Sequence, residues 1–141
     1  MWHELAQEHR ETIKPLASRE GEIKSPPISV PELEKLCEGD PLLENLLETM
    51  LSSCLEYTIT FANFKRIFAE NQGKNTKDSA TENADIDALR RTVHDTAIAD
   101  INIFSRNLAK RGRDISWMDS IDPGNRPAYT RFAVTLTMSR L

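Results

Sequence analysis

Glycine, cysteine and aromatic residues are scarce in this chain of 141 residues, which carries five glycines, two cysteines and 6% aromatics. Five isolated glycines cannot build a phosphate-cradling loop, where several must lie close together so that backbone amides converge on an oxyanion. Cys37 and Cys54 stand alone, outside any Cys-x-x-Cys pair, which argues against a disulfide framework and for a reducing, cytoplasmic setting. No run approaches the roughly 20 apolar residues of a membrane span. The opening "MWHELAQEHRETIK" is charged where a signal peptide has an apolar core, so no membrane association is expected. Histidine occurs only at His3, His9 and His94. That is a poor supply for a catalytic metal, which ordinarily takes about three protein ligands. Neither HExxH, HxxxH nor Glu-x-x-His occurs, and no serine sits in a GxSxG elbow. Neither a metal nor another cofactor is expected.

What is present is enough to fold. Hydrophobic residues make up 39% of the chain and charged residues 28%, without the apolar depletion of a disordered segment. The net charge of -4 conceals an asymmetry: residues 1–89 hold 9 Lys/Arg against 17 Asp/Glu, and residues 90–141 hold 9 against 5. The two halves attract, either by pairing acidic with basic helices or by leaving an anion-binding surface on the C-terminal half.

Helical spacing dominates. Trp2, Leu5, Ala6, Ile13 and Leu16 recur at helical intervals, with Pro15 expected to kink or end that helix and "SREGEIKSPPIS" to follow as a connector. Residues 1–24 therefore read as an N-terminal helical arm, and 25–141 as a single helical-bundle domain. Ser29 and Glu32 form a capping box for a short helix over about 30–38, closed by Gly39. Asp40 and Pro41 then open a helix over about 41–71. Leu43, Leu47, Met50, Cys54, Tyr57, Phe61, Phe64 and Phe68 form its apolar stripe, widened by Leu46, Leu51 and Thr58. "QGKNTKDSATEN" breaks the pattern, and Ser79 with Glu82 caps a second long helix over about 80–111 that stops at Gly112. Matched lengths and a short loop predict an antiparallel hairpin. "RDISWMDSIDPGN" reads as a loop with one helical turn, and Pro127 starts a last helix over about 127–140. "FAVTLTM" alternates as a strand would, but no other segment reads as strand, and the expected fold is all-α.

The stretch "RRTVHDTAIADINIFSRN" carries the polar feature of most interest. With Ala97 at the centre of the buried face, Ile86, Val93, Ile101, Phe104, Leu108 and also Arg90 fall within about 40° of it. His94 and Asp100 sit about 60° off on opposite flanks, while Asp95, Asn102 and Arg106 point nearly outward. The His94-Asp95 doublet is thus split between faces, against a metal-phosphohydrolase reading. The carboxylate pattern of the helical nucleotide pyrophosphohydrolases is also absent, Glu44 and Glu48 matching it only loosely. An inward Arg90 needs a partner, for which Glu56, Asp87 and Asp100 are candidates. Arg126 and Arg131, at the start of the last helix, could instead join Arg90 and His94 around a carboxylate or phosphate.

The residues Arg90, His94-Asp95, Ile98, Asn102, Arg106, Gly112, Asn125-Arg126 and Phe132-Ala133 resemble the loose pattern of a small bacterial all-helical family of unknown function, over roughly residues 86–136. The resemblance implies a helical fold and a bacterial or phage origin, and it implies no activity.

A non-enzymatic helical bundle acting by association, as a homodimer, is the function these features favour, because a short helix, an arm and a terminal helix give the long hairpin little cover. The alternative is a small-anion or nucleotide-binding protein, or a hydrolase of such a ligand, using Arg90, His94, Arg126 and Arg131. Nucleic-acid binding is disfavoured: Arg106, Lys110, Arg111 and Arg113 cluster at a helix C-terminus, where the dipole already accounts for cations.

Overall fold

The computed structural model describes residues 2–19, 27–72, 77–121 and 124–140, and these form an all-helical bundle with no strand among them. Six α-helices follow one another: α1 (Trp2–Glu8), α2 (Arg10–Arg19), α3 (Val30–Cys37), α4 (Pro41–Asn71), α5 (Lys77–Lys110) and α6 (Arg126–Arg140). A 3₁₀ turn, Ser116–Ser120, precedes α6. The expected hairpin is α4 against α5, and α6 lies mainly on α4. The alternation in "FAVTLTM" is overridden, since those residues lie within α6. Most of the linker 20–26, the loop 73–76 and the Asp122-Pro123 pair lie outside the described residues.

Local chemistry explains most boundaries. The Asp40 side chain accepts from the amides of Leu42 (3.1 Å) and Leu43 (3.3 Å), satisfying two of the orphan donors at the start of α4. Gly39 precedes it at φ +80°. Helix α5 closes in a Schellman motif, in which the Arg113 amide donates to the Leu108 carbonyl (2.9 Å) and the Gly112 amide to Ala109 (3.0 Å). That geometry needs the left-handed backbone that Gly112 adopts at φ +68°. At α3 the Glu32 amide donates to Ser29 Oγ (3.3 Å), as a capping box requires, but Glu32 Oε1 takes the Ser29 hydroxyl proton (2.9 Å) rather than the backbone amide.

Two expectations need correction. The N-terminal segment breaks at His9 and runs helically through Pro15 to Arg19, so Pro15 does not end it. The box at Ser79 and Glu82 does not set the start of α5, because helical backbone begins at Lys77. The Ser79 side chain itself lies outside the described residues.

Helix α4 is the axis of the core. Leu43, Leu47, Met50, Leu51, Cys54, Leu55, Tyr57 and Thr58 are all buried, enclosed by α5, α6 and the N-terminal helices. The segment read as an arm packs here, with Trp2, Ala6 and Ile13 buried and the Trp2 indole donating to the Leu51 carbonyl (3.0 Å). On α5 the buried stripe is Ala97, Ile101, Phe104 and Leu108, as the helical wheel requires. Trp117, on the 3₁₀ turn, stacks on Phe132 at 5.5 Å and leans on Phe104 at 6.3 Å, closing that end of the core. The stripe does not stay covered to its end: Phe61 and Phe64 are half-buried and Phe68 is 41% exposed.

Phe104→Ala should lower unfolding stability by about 3–5 kcal/mol, since it empties a fully buried site. Gly112→Ala should cost about 1–2 kcal/mol through the left-handed backbone alone. Urea denaturation midpoints at constant slope check both values.

Candidate functional site

The polar cluster on α5 grows from its position opposite the middle of α4. His94 is 3% exposed, and its ring stacks on that of Tyr57 at a centroid distance of 4.8 Å. Thr130, one turn into α6, joins the two: its Oγ1 lies 3.0 Å from the Tyr57 hydroxyl and 3.3 Å from His94 Nε2. It also donates to the Arg126 carbonyl at 3.1 Å. Either hydroxyl can donate in the contact with Tyr57, and the imidazole tautomer sets the roles in the contact with His94. One hydroxyl thus links groups on three helices.

Arg90 finds its carboxylate one turn back on its own helix. Its Nη2 lies 2.8 Å and its Nε 3.2 Å from Asp87 Oδ1, and the guanidinium sits 4.7 Å above the Phe64 ring. Arg91 shares Asp87 at 3.3 Å. The Arg90 hydrogen bond is the main reason the Asp87 carboxyl is held below its ordinary pKa; burial opposes it and the Arg91 and Arg90 charges assist it. Of the other candidate partners, Asp100 accepts from the Ser53 hydroxyl and Glu56 is exposed.

The four residues grouped by sequence do not form one site. His94 belongs to the closed α4–α5–α6 contact, and Arg90, one turn before it, lies half-buried between α5 and Phe64 of α4. Arg126 is beside them through its carbonyl, but its guanidinium is 57% exposed and pairs with Asp95 at 3.0 Å. Arg131 lies apart, at a 230 Å³ cavity shared with Pro27, Ile121, Ala128 and Phe132. A different set converges: Asp95, Ile98, Asn102 and Arg106, on one outer stripe of α5, meet Gly124, Arg126 and Tyr129 around a 470 Å³ cavity. The Tyr129 hydroxyl donates to Asn102 Oδ1 at 2.8 Å and ties the walls together. Wheel analysis sets Asn102 and Arg106 outward, and the sequence uses Arg106 only in a disfavoured nucleic-acid cluster and Asn102 only in the family pattern, neither as part of a pocket. The signal that could have found them is the 3-4-4 spacing of Asp95, Ile98, Asn102 and Arg106, which is one face of a helix.

Other chemistries find little footing. Burial pushes the Cys37 thiol up to about 11 and the Cys54 thiol to about 12, so neither is a ready thiolate nucleophile at neutral pH. Among the described residues no group of three or more His, Cys, Asp or Glu side chains is placed to hold a metal ion. Nor is any described helix long and apolar enough to cross a membrane. The basic cluster at the end of α5 is dispersed: Arg106 faces the 470 Å³ cavity, and Arg111 pairs with Asp40 at the start of α4 (2.5 Å). No family model matches the chain, and no curated protein or solved structure matches it.

Burial pushes the His94 imidazole below its ordinary pKa, aided by the Arg126 and Arg90 charges and opposed by Asp95. The fold therefore favours the neutral ring. Its contribution is complete above the unfolded value of about 6.5 and is lost as pH falls from there toward the depressed folded value. Melting temperature should begin to drop as pH falls below about 6.5, ahead of the carboxylate-linked loss expected near pH 4. In His94→Phe the ring stack is retained and the first of these two phases should disappear.

Proposed function

We propose that this chain is a non-enzymatic helical-bundle protein that works by association, pairing with a second copy through the distal half of the α4–α5 hairpin. The observation that carries this reading is a change in burial along the hairpin. No described side chain of α4 after Ala62, and none of α5 before His94, is buried. Yet this stretch holds Phe64, Ile67, Phe68, Ile86 and Leu89, with Phe68 41% and Leu89 50% exposed. Elsewhere α1, α2, α3 and α6 cover α4, so the shortage of covering helices expected from sequence falls on one end. Large apolar side chains left uncovered at one end of a hairpin can mark a partner surface.

Charge favours a second copy as that partner. Over residues 61–72 and 80–93 the cations are Lys65, Arg66, Arg90 and Arg91, and the anions are Glu70, Glu82, Asp85 and Asp87. A balanced patch can face itself across a two-fold axis without net repulsion, whereas a patch of one sign would oppose self-pairing. The Arg90–Asp87 pair and its ring contact with Phe64 hold this surface in shape. An anion site centred on Arg90 has less support, because Asp87 already occupies its guanidinium. The free, buried thiols Cys37 and Cys54 suit a reducing compartment, and we place the protein in the cytoplasm.

Light scattering at micromolar concentration should give the mass of a dimer. The double substitution Phe68→Glu and Leu89→Glu should give a monomer with an unchanged helical spectrum, the dissociation constant rising by at least about tenfold per charge introduced. A wild-type chain that is strictly monomeric under these conditions overturns the reading.

A further inference from the structure

The 470 Å³ cavity between the outer stripe of α5 and the start of α6 adjoins the buried His94 cluster only through Arg126, and the distal hairpin residues do not line it. Its volume is in the range of small-molecule sites, roughly 300–1,000 Å³. From its contents we propose that it binds a small phosphomonoester, held by Arg106, Arg126 and Asn102.

Three features support this assignment. Arg106 makes no ion pair among the described residues, and no carboxylate stands three or four residues from it on α5. A guanidinium without a carboxylate beside a cavity is a donor fork available to an oxyanion. Among the described residues the Arg126 side chain is engaged by Asp95 alone, across an exposed pair with side chains 57% and 59% accessible, and such pairs hold weakly against a dianion. Two arginines against one aspartate leave the cavity with a net positive charge.

The second feature is the amide of Asn102. Its Oδ1 accepts from the hydroxyl of Tyr129, which is 3% exposed, and that bond holds the amide across the cavity. The Nδ2 hydrogens have no partner among the described residues, so the amide presents donors while its acceptor is spent inward. The donors therefore come from two helices and three side chains. A planar carboxylate is matched by one fork, whereas a tetrahedral phosphate, with three terminal oxygens, can use donors arriving from several directions.

The third feature separates a monoester from free phosphate. Ile98 and the Tyr129 ring give the cavity an apolar wall, and Asp95 is an acceptor at its edge. The wall can cover the carbon skeleton of a ligand, and Asp95 can accept from a hydroxyl or amine on it. Inorganic phosphate uses neither.

Isothermal titration of the full chain with glycerol 3-phosphate, inorganic phosphate and a short single-stranded oligonucleotide, at constant ionic strength, tests the assignment. Glycerol 3-phosphate should bind more tightly than inorganic phosphate. Arg106→Gln and Arg126→Gln should each weaken it by about tenfold or more. Arg106→Gln should leave the ligand-free melting temperature unchanged. Tighter binding of inorganic phosphate than of the monoester overturns the proposal, as does affinity that survives Arg106→Gln, or no binding of the monoester. Oligonucleotide binding that exceeds that of the monoester and is lost in Arg106→Gln assigns the cavity to a nucleic-acid backbone and overturns it equally. None of these outcomes depends on the oligomeric state.

Discussion

The middle of α4 is buried on nearly every side, and a helix so enclosed must find partners for each polar atom it carries inward. Tyr57, Ser53, Thr58 and Thr60 are all in this stretch, and all are bonded. An unpaired hydroxyl there would cost about 1–3 kcal/mol. Thr58 and Thr60 turn back on their own helix carbonyls, but Thr58 also reaches Thr137 on α6 at 3.2 Å. Ser53 donates to Asp100 on α5, and Tyr57 meets Thr130 on α6. Apolar packing would tolerate several rotations and slides of α5 and α6 over α4. These hydroxyl bonds are directional, so they select one register, and His94 is buried beside Tyr57 as a result.

The division of charge along the chain is realised in the same arrangement. Asp40, which caps α4, also holds Arg111 at the end of α5, so one carboxylate closes the start of one helix and clamps the end of its partner. Burial alone would raise the Asp40 pKa, but the Leu43 amide and Arg111 outweigh it and leave the carboxyl below its ordinary value. Glu48 likewise meets Arg140 at 3.2 Å, and the same guanidinium lies 4.7 Å over the Trp2 ring. The acidic first part and the basic last part of the chain thus meet at these pairs within one fold, which gives the asymmetry an internal use. Arg106 is a cation that this pairing leaves over.

Helix limits were legible wherever a local motif decides them. Ser29, Asp40 and Gly112 each act within about one turn of their own position, so their neighbours in sequence are also their neighbours in space. The apolar stripes were legible for the same reason, helical geometry being fixed by spacing alone. The His9 break was not legible, since no proline or glycine marks it, while the marked Pro15 lies inside α2. The partner of Arg90 was narrowed to three carboxylates, and the one three residues away took it. Phe68 looked like core because periodicity reports direction and not whether anything stands on that side.

Composition and spacing by themselves determined that this protein is all-helical, that a long hairpin forms its frame, and that Asp95 and His94 face apart. Those properties follow from interactions between residues close in the chain. Tertiary structure decided which helix covers which length of the hairpin, and so which apolar residues stay exposed. It also decided that Thr130, 36 residues from His94, bonds it, and that Tyr129 orients Asn102 across 27 residues. These contacts depend on where α6 lands on α4, an outcome of packing and hydroxyl bonding over long separations that no local pattern encodes.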